Sequence, residues 1–227
     1  MDENIRFMLK RIAPRVSVFL GLSFAFFLVS GVVLAFNEKV ALHYEMNQFH
    51  SNFWDFFFKY YTNVGEGYFA LFLIPILFLS KKKKFLLFGI LSCVFAGILA
   101  QLFKHYFFPD APRPTAVFNA GVLHLVSGVK MAKLHSFVSG HSASAFAMFM
   151  FASVVYHKKW LQIVFFLMAM LVAISRVYLS QHFLMDVFVG SCLGIFSVFL
   201  AFEAILLFEK ITATNKNSPS LSKTIFA

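Results

Sequence analysis

The chain has 227 residues, of which 60% are hydrophobic and only 13% charged, with 34 phenylalanines. That composition excludes an ordinary soluble domain with a polar surface and predicts an integral membrane protein. The net charge of +10 would suit a nucleic-acid binder, but the basic residues sit in short clusters between apolar runs, where they set topology and meet anionic lipid; no nucleic-acid partner is expected.

In chain order, the apolar runs predict an all-α, polytopic protein of six transmembrane helices. They cover Val16–Phe36, Gly67–Ser80, Phe85–Phe103, Ser142–Tyr156, Trp160–Leu179 and Asp186–Phe208. The first run is too long for a signal-peptide core and is expected to be retained. The segment Glu45–Tyr61, rich in aromatics and broken by Asn47, His50, Asn52 and Asp55, reads as an interfacial amphipathic helix. Cys93 and Cys192 fall inside apolar runs as packing residues, and Gly190-x-x-x-Gly194 reads as a helix-packing pair. Residues 1–210 form one six-helix domain on this reading, and 211–227 a short disordered cytoplasmic tail.

Lysine and arginine set the orientation. Arg6, Lys10, Arg11 and Arg15, then Lys81 to Lys84, then Lys158 and Lys159, then Lys210, Lys216 and Lys223 all fall on one side of the six spans, which the positive-inside rule makes cytoplasmic. On the other side lie Lys104, Arg113 and Arg176, together with Lys39, Lys59, Lys130 and Lys133.

Three islands of polarity carry chemistry. One is Lys104 followed by Arg113-Pro114; the second is Ser139-Gly140-His141; the third runs from Ser175-Arg176 to His182 and Asp186. Ionisable groups at membrane depth are costly and mark function. If a helix begins near Gln181, His182 and Asp186 stand one turn apart on one face, the carboxylate holding Nδ1–H and leaving Nε2 free to attack. The topology derived from lysine and arginine places all three islands at the same outer surface, although it makes no use of them.

The three blocks resemble the type 2 phosphatidic acid phosphatase family: a lysine ahead of Arg-Pro, then Pro-Ser-Gly-His, then Ser-Arg-x5-His-x3-Asp. The third block matches in full. In the first, eight residues separate Lys104 from Arg113 where the family usually has six; in the second, Val138 replaces proline. The resemblance implies a membrane phosphatase whose fourth to sixth helices build the site, with lipid arriving laterally between helices. It implies His182 as nucleophile, Asp186 as its orienting carboxylate, and His141 as general acid and later base. Lys104, Arg113, Ser139, Gly140 and Arg176 are the implied phosphate cradle. Cationic side chains fill the place of a metal, so neither metal nor cofactor is expected.

The expected partner is a phosphorylated membrane lipid at the outer, periplasmic face of a bacterial cytoplasmic (inner) membrane. Candidate substrates are lipid A, phosphatidylglycerol phosphate, phosphatidic acid and undecaprenyl pyrophosphate. The aromatic Glu45–Tyr61 segment and the long Lys104–Arg113 connection favour a large head group. The alternatives are an undecaprenyl pyrophosphate phosphatase, a catalytically silent lipid-binding relative, and a vanadate-dependent haloperoxidase, the last disfavoured by so short and membrane-like a chain. Glu66, between Gly65 and Gly67, is placed to touch a head group. His105, His124 and His135 read as interfacial residues, and Asp110 as a turn residue or a partner of Arg113.

Overall fold

The computed structural model describes residues 12–70 and 83–213. Among them the chain is helical, with no strand. The helices are α1 (Ser17–Phe36), α2 (Lys39–Asn47), α3 (Asn52–Tyr61), α4 (Lys83–Leu102), α5 (Gly140–Tyr156), α6 (Lys159–Tyr178) and α7 (Leu184–Ala213). Four of these segments are long and apolar enough to cross a bilayer: Ser17–Phe36, Phe85–Phe107, Lys159–Tyr178 and Leu184–Phe208. The shorter apolar helix Gly140–Tyr156 joins them. The predicted span Gly67–Ser80 lies outside the described residues beyond 70, as do the first eleven residues. The last helix continues to Ala213, past the expected domain boundary at 210, and the tail beyond it lies outside the described residues.

α5 is the axis of the bundle. Its sequence is apolar all round, as a wholly enclosed helix requires, and thirteen of its 17 residues are buried. α4, α6 and α7 surround it, and α1 closes the outside against α6 and α7. Close contact between α5 and α7 depends on Gly190 and Gly194, where a side chain would collide with the backbone oxygens of Ser139 and Ala143. The pair thus packs helices, as its spacing predicts. At the other end of the bundle, α1 lacks a side-chain cap of its own. Gln162 of α6 supplies one, its Oε1 accepting from Val18 N at 3.0 Å and Phe19 N at 3.2 Å.

The interfacial segment differs from the prediction. Instead of one helix over Glu45–Tyr61 there are two, separated at residues 48–51, because the Ser51 hydroxyl caps a new helix by accepting from Trp54 N. α3 exposes Phe53, Phe56 and Tyr60 and buries Phe58, whose ring lies 4.8 Å from that of Tyr178 on α6. Tyr106, Phe107 and Phe108, just past α4, are also exposed. Aromatic rings so placed at one end of an apolar bundle form an interfacial belt. Two of the basic residues predicted on this side are occupied there: Lys39 lies over the Phe183 ring, 4.1 Å from its centre, and Lys59 donates to Ser127 O at 2.6 Å.

Candidate active site

The three polar islands meet at that same end. Each is delivered by a helix terminus. α4 ends in a π-helical turn over Phe103–Phe107 that carries Lys104, an irregularity common at functional sites, and a tight turn in which Ala111 N donates to Phe108 O leads on to Arg113. The longer Lys104–Arg113 spacing is taken up by the π-helical turn and the tight turn that follows it. Ser139 caps α5, its hydroxyl accepting from Ser142 N at 3.4 Å, and Ser139 N donates to Asp186 O at 2.9 Å. Lys104 Nζ lies 3.8 Å from where a Cβ on Gly140 would sit. The Phe137–Val138 peptide just before this cap is cis.

The third island corrects one expectation. α7 begins at Leu184, so His182 precedes the helix instead of sharing a face with Asp186. Asp186 occupies the third helical position and folds back, Oδ2 accepting from Phe183 N at 3.0 Å, which is half of a capping box. The Ser136 hydroxyl donates to the same oxygen. His182 Nδ1 approaches Oδ2 at 3.4 Å, close enough for charge coupling but without a hydrogen bond of good geometry. The imidazole is 1% exposed and the carboxylate wholly buried. Burial pushes the His182 pKa down to about 3, against the opposing influence of Asp186. At neutral pH the ring is therefore uncharged and holds the lone pair a nucleophile needs.

The cations converge around it. Arg176, 7% exposed, donates through Nη1 to Thr62 Oγ1 at 2.7 Å and through Nη2 to Gln181 Oε1 at 3.4 Å, while its buried Nε has no partner. Arg113 donates through Nε to Leu134 O at 3.0 Å and through Nη1 to Gln181 O and Oε1 at 3.2 and 3.1 Å. It forms no ion pair with Asp110 among the described residues. Much of the Arg113 fork therefore holds two loops together, a role the motif alone does not reveal. His141 Nε2 donates to Glu66 Oε1 at 3.0 Å, and that hydrogen bond holds the Glu66 carboxyl below its ordinary value.

The family model of the PAP2 superfamily matches residues 83–208, more than half of the chain and all three islands. The chain belongs to the PAP2 superfamily. No curated protein sequence matches it. Among solved structures it is similar to LpxE of Aquifex aeolicus, with a TM-score of 0.63 and 28% identity over 74% of this chain and 96% of that one. It is also similar to the first transmembrane PAP2 type phosphatidylglycerolphosphate phosphatase from Bacillus subtilis, with a TM-score of 0.57 and 26% identity over 84% and 95% of the two chains.

Several site residues lie outside the three blocks. Behind His182, Ser180 adopts a left-handed backbone (φ 51) that turns the chain from α6 to α7. Its hydroxyl is within 3.1 Å of His43 Nε2 and accepts from Asn47 Nδ2 at 3.2 Å. Asn47 also exchanges hydrogen bonds with the His124 backbone, tying α2 to the loop that precedes α5. His124 itself pairs with Asp55 at 2.9 Å, so it is more than an interfacial ring. The four-residue spacing of His43 and Asn47, which puts both on one face of α2, is the signal that could have exposed them; Thr62 and Ser136 have none.

Gln181 is the link between the arginines. It is 4% exposed, its Oε1 accepts from both guanidinium groups, and its Nε2 donates to Lys130 O at 3.1 Å. Gln181→Leu keeps the volume but leaves two charged donors without their shared acceptor, worth about 1.5 kcal/mol or more. The expected outcome is a KM raised about tenfold with kcat little changed, checked by steady-state kinetics on the purified variant.

Proposed function

We propose that this protein is a membrane lipid phosphatase that removes phosphate from a lipid head group through a phosphohistidine intermediate, without a metal. The observation that carries the reading is the buried His182 beside Asp186 and the cations Lys104, Arg113 and Arg176, brought together from segments far apart in sequence. Three cations at fixed positions suit the three equatorial oxygens of a phosphoryl transition state, and the capped start of α5 at Ser139–Gly140 adds backbone donors.

In the proposed reaction, His182 Nε2 attacks phosphorus as the P–O bond breaks, and the departing oxygen takes its electron pair and a proton from His141. Asp186 stabilises the positive character left on His182. A water molecule then gives a proton to His141 and attacks phosphorus, the N–P bond breaks, and inorganic phosphate leaves with His182 restored.

The substrate class is a phosphorylated lipid with a sizeable head group, phosphatidylglycerol phosphate or lipid A, with undecaprenyl pyrophosphate as the competing reading. Support comes from the likeness to the phosphatidylglycerolphosphate phosphatase from Bacillus subtilis and from a cavity of about 500 Å³ lined by Thr115, Phe118, Asn119, Leu125 and Lys133. That cavity adjoins the Arg113 turn, since Arg113 N donates to Lys133 O at 2.8 Å. The distribution of lysine and arginine supports an outward, periplasmic site in a bacterial inner membrane.

The test uses purified protein in detergent with phosphatidylglycerol phosphate, lipid A and undecaprenyl pyrophosphate, with and without chelator. Intact spheroplasts expressing wild-type or His182→Ala protein are then given a water-soluble short-chain lipid phosphate. Phosphate release that survives chelation and needs no permeabilisation is expected. Release restored only by a divalent metal contradicts the cationic cradle, and release only after permeabilisation contradicts the orientation.

A further inference from the structure

The short turn between α3 and the next helical segment enters the site at two points. Thr62–Gly65 is a 3-10 turn. At its start Thr62 accepts from Arg176 Nη1 at 2.7 Å, and just past its end Glu66 accepts from His141 Nε2 at 3.0 Å. The contact is built into the packing: a Cβ at Gly65 would stand 3.0 Å from His141 Cβ, 3.1 Å from His141 O and closer still to Val172. Only glycine lets this backbone approach α5 so nearly, and that approach sets the Glu66 carboxylate against the imidazole. The other charged groups facing His141 are the cations Arg176 and Lys104. Without Glu66, a proton on His141 would meet only like charge.

We propose that Glu66 is a positioning residue for His141, so that the site holds two carboxylate–histidine pairs, Asp186 with the nucleophile and Glu66 with the acid. This rests on the phosphatase reading above. With Nε2 turned to Glu66, Nδ1 is the nitrogen left to face the leaving oxygen. Glu66 fixes that ring orientation and offsets part of the effect of burial, Arg176 and Lys104, which together push the His141 pKa down to about 4; the proton is needed on Nδ1 only as the leaving oxygen departs. The proton delivered to the departing alkoxide comes from His141 and returns to it from the attacking water, while Glu66 keeps its charge throughout.

An acid matters most when the leaving group is poor. The experiment compares full-length wild-type, Glu66→Gln, His141→Ala and the double variant on phosphatidylglycerol phosphate, which releases an alkoxide, and on p-nitrophenyl phosphate, which releases a stable phenolate. Glu66→Gln should lower kcat on the lipid on the order of 10- to 100-fold and on the aryl ester by less than about threefold, with KM nearly constant. The double variant should be no slower than His141→Ala, since both changes disable one unit.

Equal losses on both substrates, or losses that multiply in the double variant, would overturn the proposal. A lower KM with faster lipid turnover would do so as well, because Glu66 would then be an anion competing for the phosphate cradle. If Glu66→Gln fails to fold, Glu66→Asp carries the same comparison, its shorter carboxylate still giving a larger loss on the lipid. Wild-type protein inactive on both substrates would instead reject the phosphatase reading itself.

Discussion

Substitution of His182 by alanine should abolish phosphate release, a loss on the order of 10⁴-fold or more, while the protein still inserts and folds. The side chain is 1% exposed, yet it lies in the link between α6 and α7, outside the tightly packed α5 axis. Its ring nitrogens hold none of the surrounding structure: Nδ1 has no hydrogen-bond partner of good geometry, and the link is fixed by backbone bonds from Gln181 N and His182 N to Arg176 O at 3.0 and 3.2 Å. Alanine preserves both. The variant should therefore elute like wild type from a sizing column in detergent, while phosphate release falls to background. Near wild-type turnover would remove His182 from the mechanism.

Asp186→Asn should be the second largest loss, on the order of 100-fold or more in kcat, by analogy with other charge-orienting carboxylates beside histidine. Asparagine can present its carbonyl oxygen to Ser136 and Phe183 N, the two donors that Oδ2 now serves, so the start of α7 survives. What it cannot supply is negative charge beside His182 as the imidazole becomes positive. The measurement is kcat against KM: kcat should collapse, KM should stay within a few fold because the cations proposed to hold the phosphate are untouched, and melting temperature should change little. A loss confined to KM would mean that Asp186 serves binding instead.

Much of this was legible in sequence, because hydrophobic length and motif chemistry are local properties. Five of the six predicted segments reappear as helices within a few residues of their expected ends, four of them long and apolar enough to cross a membrane, and the three polar blocks meet because each sits at a helix terminus on one side of the bundle. The sixth span lies largely outside the described residues. The relation of His182 to Asp186 was misread: the hydrophobic pattern admits a helix from Gln181, but Ser180 turns left-handed and Asp186 caps the chain from the third helical position, excluding His182. The Glu45–Tyr61 segment was read as one helix because its amphipathic pattern continues through residues 48–51; the Ser51 cap that restarts it is a single hydroxyl.

The remainder of the candidate site depends on contacts between distant residues. Gln181 looks like filler beside His182 until two guanidinium groups arrive from Arg113 and Arg176. Thr62 and Glu66 belong to the site because Gly65 lets their turn approach α5, a fact of packing that no periodicity encodes. Arg113, expected from the motif to be a phosphate ligand, clamps the loop that precedes α5 through backbone carbonyls of residues 134 and 181, which its motif position does not disclose.

Trapping the phosphohistidine intermediate decides whether phosphate is transferred covalently to His182. Wild-type and His141→Ala proteins would be mixed with a lipid carrying labelled phosphate, quenched in alkali to preserve phosphohistidine, digested and mapped. The label is expected on the peptide containing His182, and to persist longer in His141→Ala, where no base activates the water. Label on any other residue, or steady turnover with no labelled histidine at any time after mixing, would exclude His182 as the nucleophile.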